Sequence, residues 1–277
     1  MKYLIRFGEI FLKGKNRVMF EKRLINNISV YLKNNNIVGK LNRKKNRFVL
    51  NVETKPNLRK VFGIVSYSLC ITCKADKDEI KKIISEKIKY FTPETKFRIT
   101  SKLVDKSLEG KKLDLNREFG SFVVEKTNAK VDLEHFDVEI CIDVFNDEAH
   151  IFIDSIACFG GLPVGVEGIV LCLIEDEKSL LAALMAMRRG CKIICLMKKN
   201  IDLSLLEDYA HGFKLKQEKI ISLSEVSDLA KKYRTPGIFV GQTLDDFEDL
   251  KLDIPVFRPL IAYSKEDIEN KLEEFRK

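Results

Sequence analysis

Seven residues, Phe159-Gly160-Gly161-Leu162-Pro163-Val164-Gly165, constrain most strongly what this chain can fold into. Three glycines and a proline within seven positions cannot extend a helix or a strand. The hydrophobic pattern also changes across them. Before this connection, apolar residues alternate along short stretches or recur at helical spacing. After it, short runs that are apolar throughout alternate with helical segments, as strands covered on both faces do. The expected class is therefore α+β followed by α/β.

In the first part, Lys2–Phe7 alternates as a strand, and Phe20, Leu24, Ile28 and Leu32 mark an amphipathic helix over residues 15–33. Val38–Leu41 and Arg47–Val52 flank the basic turn 42–46 and predict a hairpin. Pro56 opens a short helix ending near Gly63, and residues 64–74 form a strand. The order β-α-β-β-α-β is that of a ferredoxin-like domain. A second group follows: helices over 76–90 and 115–127, and strands over 96–102, 137–145 and 148–156.

Beyond Gly168, Ile169–Ile174 is a buried strand, residues 178–189 a helix ended by Gly190, and Cys191–Met197 a strand. Further strands are expected near 219–223, 237–240 and 255–257. This spacing predicts a small doubly wound parallel sheet. The expected boundaries are 1–75, 76–165 and 166–277.

Charge is distributed unevenly. Residues 1–60 carry 16 Lys/Arg against Glu9, Glu21 and Glu53, a net +13, whereas the other 217 residues sum to −5. Such asymmetry points to a polyanion footprint on one part of the chain. The seven cysteines are odd in number and lack framework spacing. Cys70-Ile71-Thr72-Cys73 has the C-x-x-C form but sits in a strand with no second pair, so no metal site is expected. His135, His150 and His211 are scattered and read as surface or packing residues. Early charges exclude a signal peptide and no apolar run is long enough to span a membrane, so a cytoplasmic protein is expected.

The opening Leu4-Ile5-Arg6-Phe7-Gly8-Glu9-Ile10-Phe11-Leu12-Lys13-Gly14-Lys15-Asn16-Arg17 closely resembles the start of the tRNA 4-thiouridine synthetase (tRNA sulfurtransferase) family. Phe97-Arg98-Ile99, Asn116-Arg117-Glu118-Phe119-Gly120, Val131-Asp132-Leu133 and Gly160–Gly165 resemble its THUMP domain. Gly241-Gln242-Thr243-Leu244 and Pro255–Ile261 resemble later segments. The resemblance implies a ferredoxin-like and a THUMP domain gripping tRNA by its acceptor stem and 3′ end. It also implies a PP-loop domain that uses ATP and Mg²⁺ at uridine 8. Folded RNA is held largely by phosphate contacts and by shape, which requires Lys and Arg on a firm surface. The candidates are Lys13, Lys15, Asn16 and Arg17; Arg43, Lys44, Lys45 and Arg47; and Arg98, Lys102 and Arg117.

The family's phosphate loop, Ser-Gly-Gly-x-Asp-Ser, is replaced here by Glu175-Asp176-Glu177-Lys178-Ser179. Both glycines are gone and three carboxylates stand in the cradle, where opposing a polyphosphate would cost several kcal/mol. Acids at a helix start are explained as well by capping; the other reading is a metal site. Were the nucleotide site retained, Leu173, Ile174, Ser179 and Gln242 would line it. No cysteine follows Cys195, whereas the family's sulfur-carrying cysteine lies after the Arg258–Ile261 segment. No catalytic residue is therefore assigned, and no cofactor is expected unless the site is retained. Two functions follow from the resemblance: a tRNA-presenting adaptor for a separate modifying enzyme, or a thiouridylation component completed by a partner chain. A homodimer is compatible with either.

Overall fold

The computed structural model describes all residues 1–277. The first elements are β1 (Lys2–Phe7), α1 (Arg17–Asn34), β2 (Gly39–Lys44), β3 (Arg47–Val52), β4 (Ile64–Leu69) and β5 (Ile71–Lys74). Next come α2 (Lys77–Lys87), β6 (Lys96–Leu103), α3 (Lys112–Thr127), β7 (Lys130–Val131), β8 (Val138–Phe145), β9 (Glu148–Phe152) and β10 (Ile156–Ala157). The last are β11 (Ile169–Ile174), α4 (Glu177–Arg188), β12 (Lys192–Met197), α5 (Ser204–Glu207), β13 (Lys216–Lys219), α6 (Val226–Tyr233), β14 (Ile238–Phe239), β15 (Val256–Phe257) and α7 (Lys265–Arg276). They gather into two compact units that cut across the sequence segments.

Met1–Arg6, Ile37–Pro56 and Ser66–Ala157 make the first unit. It holds two five-stranded sheets, ordered β10-β4-β1-β3-β2 and β5-β9-β8-β6-β7. Helices α2 and α3 cover the second sheet, burying Ile80, Ile84, Leu115, Phe119 and Val123 against Phe97, Ile140 and Ile142. Leu4 and Val49 of the first sheet share a buried cluster with Phe145 and Phe152 of the second. Beside it Arg47 Nε donates to Asp143 Oδ2 at 3.2 Å, with both side chains almost fully enclosed.

Two expectations need correction here. Residues 64–74 are not one strand: β4 pairs in the first sheet and β5 in the second. Consecutive burial of Tyr67 and Ser68 breaks the period of two, and the amide of buried Cys70 donates to Lys2 O at 2.9 Å where the chain changes sheets. The expected helix after Pro56 is only a 3₁₀ turn, Leu58–Lys60. The few residues before the turn at Gly63, which has φ +101°, are too short to nucleate an α-helix.

Phe7–Asn36, Asn57–Val65 and Cys158–Lys277 make the second unit. Its sheet is ordered β13-β12-β11-β14-β15, and every neighbouring pair is parallel. Val170–Ile174 and Ile193–Met197 are buried throughout, with apolar cores on both faces. The strand expected near 219–223 instead occupies Lys216–Lys219, a polar edge, because Ile220 serves the core while Ile221 points to solvent. Helix α1 starts at Arg17, after a 3₁₀ stretch Glu9–Asn16 kinked at Gly14. From α1, Asn27 Nδ2 donates to Val164 O at 3.2 Å and Arg23 to Gly165 O at 3.3 Å. Phe62, Phe159, Tyr209 and Phe275 form an aromatic knot, with Phe159 and Phe275 stacked at 4.1 Å.

Truncating one partner of an enclosed ion pair strands the other charge. Arg47→Met should therefore lower the denaturation free energy by about 3–5 kcal/mol, whereas Arg47→Met with Asp143→Leu should recover most of it. Urea unfolding of the two variants checks this; equal losses would place the pair outside the stability of the unit.

Burial also holds two histidines neutral. It pulls His150, stacked on Phe145, and His211, edge-on to Tyr31, down to about 4, against the weaker opposing pulls of Glu148 and Asp208. The unfolded chain takes up these protons near pH 6.5, before the folded chain can. Stability should thus fall as pH drops from about 6.5 to about 4, by on the order of 2–3 kcal/mol per histidine. Urea midpoints at pH 7.5 and 5 measure it, and His211→Gln should shrink the difference.

Candidate functional site

In an open parallel sheet, ligands bind beyond the carboxyl ends of the strands, where the connections part to opposite sides. Here that point lies between β11, which leads to α4, and its neighbour β14. The loop after β11, residues 175–178, faces the loop after β14. They touch closely: a Cβ on Gly241 would stand 2.8 Å from Ser179 Cα and 2.9 Å from its amide nitrogen.

A helix start leaves amide N–H groups that need acceptors. At α4 the chain supplies them itself. Asp176 Oδ1 accepts from the Ser179 amide at 3.0 Å, and Ser179 Oγ accepts from the Glu175 and Asp176 amides, each at 3.0 Å. The same hydroxyl donates to Asp176 O at 2.5 Å. This is a reciprocal capping box with buried Ser179 in the helical position. The three acids each have a cation: Glu175 has Lys198 at 3.5 Å, Asp176 has Lys178 at 3.9 Å and Glu177 has Arg276 at 3.1 Å. Lys178 also pairs closely with Asp246. Burial raises the Asp246 carboxyl, but hydrogen bonds from Lys178 and Thr243 outweigh it and hold the group at about 2.

This loop offers a phosphate fewer free amides than a glycine-rich one would. No glycine stands between Ile174 and Gly190, and the amides of Glu175, Asp176 and Ser179 are already taken. Of the residues expected to line a retained site, Leu173 and Ile174 are core. Ser179 has its hydroxyl engaged, and Gln242 accepts from Arg258 Nε at 2.8 Å. Sequence reasoning missed Thr243, Asp246 and Tyr263. With Asp176, Lys178 and Ile268 they line a cavity of ≈ 510 Å³ beside the loop. The acidic run Asp245–Asp249 next to the expected Gly241–Leu244 segment was the available signal.

Burial pushes Cys70 and Cys73 up to about 11 and Cys195 up to about 12.

The expected RNA-binding residues divide by role. In the second unit, Lys13 pairs with Glu167 at 3.3 Å and lies over Phe20, and Arg17 pairs with Glu21 at 2.7 Å and lies over Phe11. Lys15 and Asn16 between them are exposed. In the first unit, Arg43 and Lys45 are exposed at the hairpin tip and Lys44 pairs with Glu148 at 2.9 Å. Arg47 is a correction: it is buried against Asp143 and cannot reach RNA, because the hairpin turn is only Lys45-Asn46 and Arg47 already belongs to β3. Arg98 pairs with Glu139 and stacks on Phe136 at 3.9 Å, while Lys102 and Arg117 are exposed.

Comparison with known proteins follows this division. Residues 2–68 match the ThiI ferredoxin-like domain and residues 74–154 the THUMP domain. A probable tRNA sulfurtransferase of Methanocaldococcus jannaschii is 31% identical, aligned over 97% of this chain and 86% of its own length. One from Alkaliphilus oremlandii is 30% identical over 96% and 82%. The chain belongs to the tRNA sulfurtransferase family. PH1313 from Pyrococcus horikoshii, a solved structure, matches it with a TM-score of 0.85 at 27% identity, over 100% of this chain and 99% of that one. A 4-thiouridine synthetase solved as an RNA complex with bound ATP has a TM-score of 0.77 at 23% identity over 99% and 84%, a likeness of fold. This sulfurtransferase relative thus has the ferredoxin-like, THUMP and parallel-sheet parts of its family, with a degenerate phosphate loop at α4.

Ser179→Ala should cost about 1–2 kcal/mol by orphaning two amides. Gly241→Ala should cost about 1–3 kcal/mol, since the added methyl has backbone to displace. Thermal unfolding reads both; a Gly241→Ala protein as stable as its parent would mean that the two loops do not meet.

Proposed function

We propose that this sulfurtransferase relative binds tRNA through residues 1–75 and 76–165 and no longer activates nucleotide. It presents tRNA to a separate modifying enzyme, with residues 166–277 as a remnant domain. The observation carrying this reading is the self-capped start of α4, where three loop amides that could hold phosphate are satisfied by Asp176 and Ser179. RNA binding draws support from the +13 charge of residues 1–60 and from the exposed Lys15, Arg43, Lys45, Lys102 and Arg117. A 4-thiouridine synthetase of similar fold, solved as an RNA complex, supports an RNA partner; the grip on the acceptor stem and 3′ end is what the family resemblance implies.

The second reading is a thiouridylation component whose active site a partner chain completes. The ≈ 510 Å³ cavity beside the loop favours it, together with the ATP bound in the structural relative. Calorimetry of the purified chain with ATP and Mg²⁺ decides between the two. The adaptor reading expects no saturable heat, and micromolar Mg²⁺-dependent binding rejects it.

For RNA, filter binding of tRNA across a salt series should show a steep loss of affinity. Replacing Lys13, Lys15 and Arg17 together by Gln should flatten the log–log slope by about two to three units. An unchanged slope removes that group from the footprint.

A further inference from the structure

Several segments outside the loop before α4 meet at one place in the second unit. Glu9 comes from the opening motif, Gly161 from the glycine-rich connection, Arg188 and Arg189 from the end of α4, and Pro259 from the segment after β15. With Phe239 and Tyr263 they line a pocket of ≈ 400 Å³, at the small end of the range for small-ligand sites. Its floor depends on glycine. Gly161 has φ +76°, and a Cβ there would stand 2.3 Å from Arg188 O and 2.7 Å from Arg188 Cγ. The neighbouring Leu162 amide donates to that same carbonyl at 2.9 Å.

Two adjacent arginines line this pocket with little to neutralise them. Arg188 is exposed and has no ion-pair partner, and Arg189 meets Glu9 only at 3.9 Å. Cations at a helix end complement its dipole, which accounts for their sign but not for the aromatic wall beside them. Phe239 is braced by Phe257, stacked at 4.9 Å, and Tyr263 is half-exposed. Tyr263 is also shared with the acid-rimmed cavity at the start of α4. Around one ring, then, one side carries acids paired with cations and the other two arginines with little to pair them.

We propose that this pocket seats a single unstacked nucleotide of the bound RNA. The phosphate lies on Arg188 and Arg189, the base packs against Tyr263 and Phe239, and Glu9 accepts an N–H from the base edge. Aromatic faces holding splayed bases, and guanidiniums holding phosphate, are the general means of reading unpaired RNA. The inference rests on the tRNA-binding reading, and the test separates the two.

The chain has no tryptophan, so Tyr263→Trp creates a single reporter inside the pocket. tRNA affinity is followed by anisotropy of labelled tRNA, and stacking by quenching of the tryptophan. The expected result is quenching on tRNA addition, with affinity weakened about 10-fold and quenching lost when Arg188→Gln and Arg189→Gln are added. Binding without quenching, and with affinity within twofold in the Arg variants, overturns the pocket while leaving tRNA binding intact. If tRNA does not bind at all, the tRNA reading itself falls, and the four nucleoside 5′-monophosphates become the probe. Arg-dependent quenching by any of them supports a nucleotide site that takes the free form; no quenching by all four overturns it.

Discussion

The start of α4 sits at the centre of a parallel sheet, and its amides must find acceptors. In nucleotide-binding sheets of this kind an anionic ligand can provide them. Here Asp176 and Ser179 provide them for the amides of Glu175, Asp176 and Ser179, and the other features of the loop follow. Once the cap is built from side chains, the loop needs no glycine, and it packs tightly enough that only Gly241 can lie against Ser179. The acids that the cap introduces are then paired with Lys198, Lys178 and Arg276. These pairs are largely exposed and individually weak, so the energetic weight rests on the cap and the close loop contact.

The first unit shows a different use of charge. Its exposed cations suggest RNA contacts, yet several of its other cations hold the protein together. Arg47 closes an ion pair between the two sheets, Lys77 and Lys81 both clasp Glu118 between α2 and α3, and Arg98 is fixed by Glu139 and Phe136. Recognition by shape requires a surface whose parts do not move against each other. The internal cations make the unit firm, and Lys45, Lys102 and Arg117 are left to face outwards.

What could be read in advance depended on whether the deciding interaction was local. The buried strands Ile169–Ile174 and Lys192–Met197, the hairpin and the stripe of α1 follow from period and composition, so the fold class and the order of parts were legible. The loop's identity was legible because Glu175–Ser179 stands where glycines were expected. The change of sheet at Cys70 was not, because strand propensity runs unbroken through it and only long-range pairing divides it. Nor was the burial of Arg47. A clue lay elsewhere, in Asp143 set between the apolar Ile142 and Val144, since an acid in so apolar a stretch calls for a buried cation. The grouping of residues 7–36 and 57–65 with the C-terminal sheet depends on contacts such as Asn27 to Val164 and Phe62 with Tyr209, over a hundred residues apart.

Charge also decides what the two ends of α4 can do. Its first turn carries acids matched by neighbouring cations, so little field extends from it towards a polyanion. Its last turn carries Arg188 and Arg189, with a single distant carboxylate between them. A helix normally draws anions to its beginning and cations to its end. Capping the beginning with Asp176 weakens that attraction, and two arginines at the end offset the preference there. The proposed nucleotide seat beside Tyr263 is where this distribution of charge favours an anion. The self-capped loop and the proposed nucleotide seat thus rest on the two ends of one helix, paired acids at its start and weakly neutralised arginines at its end.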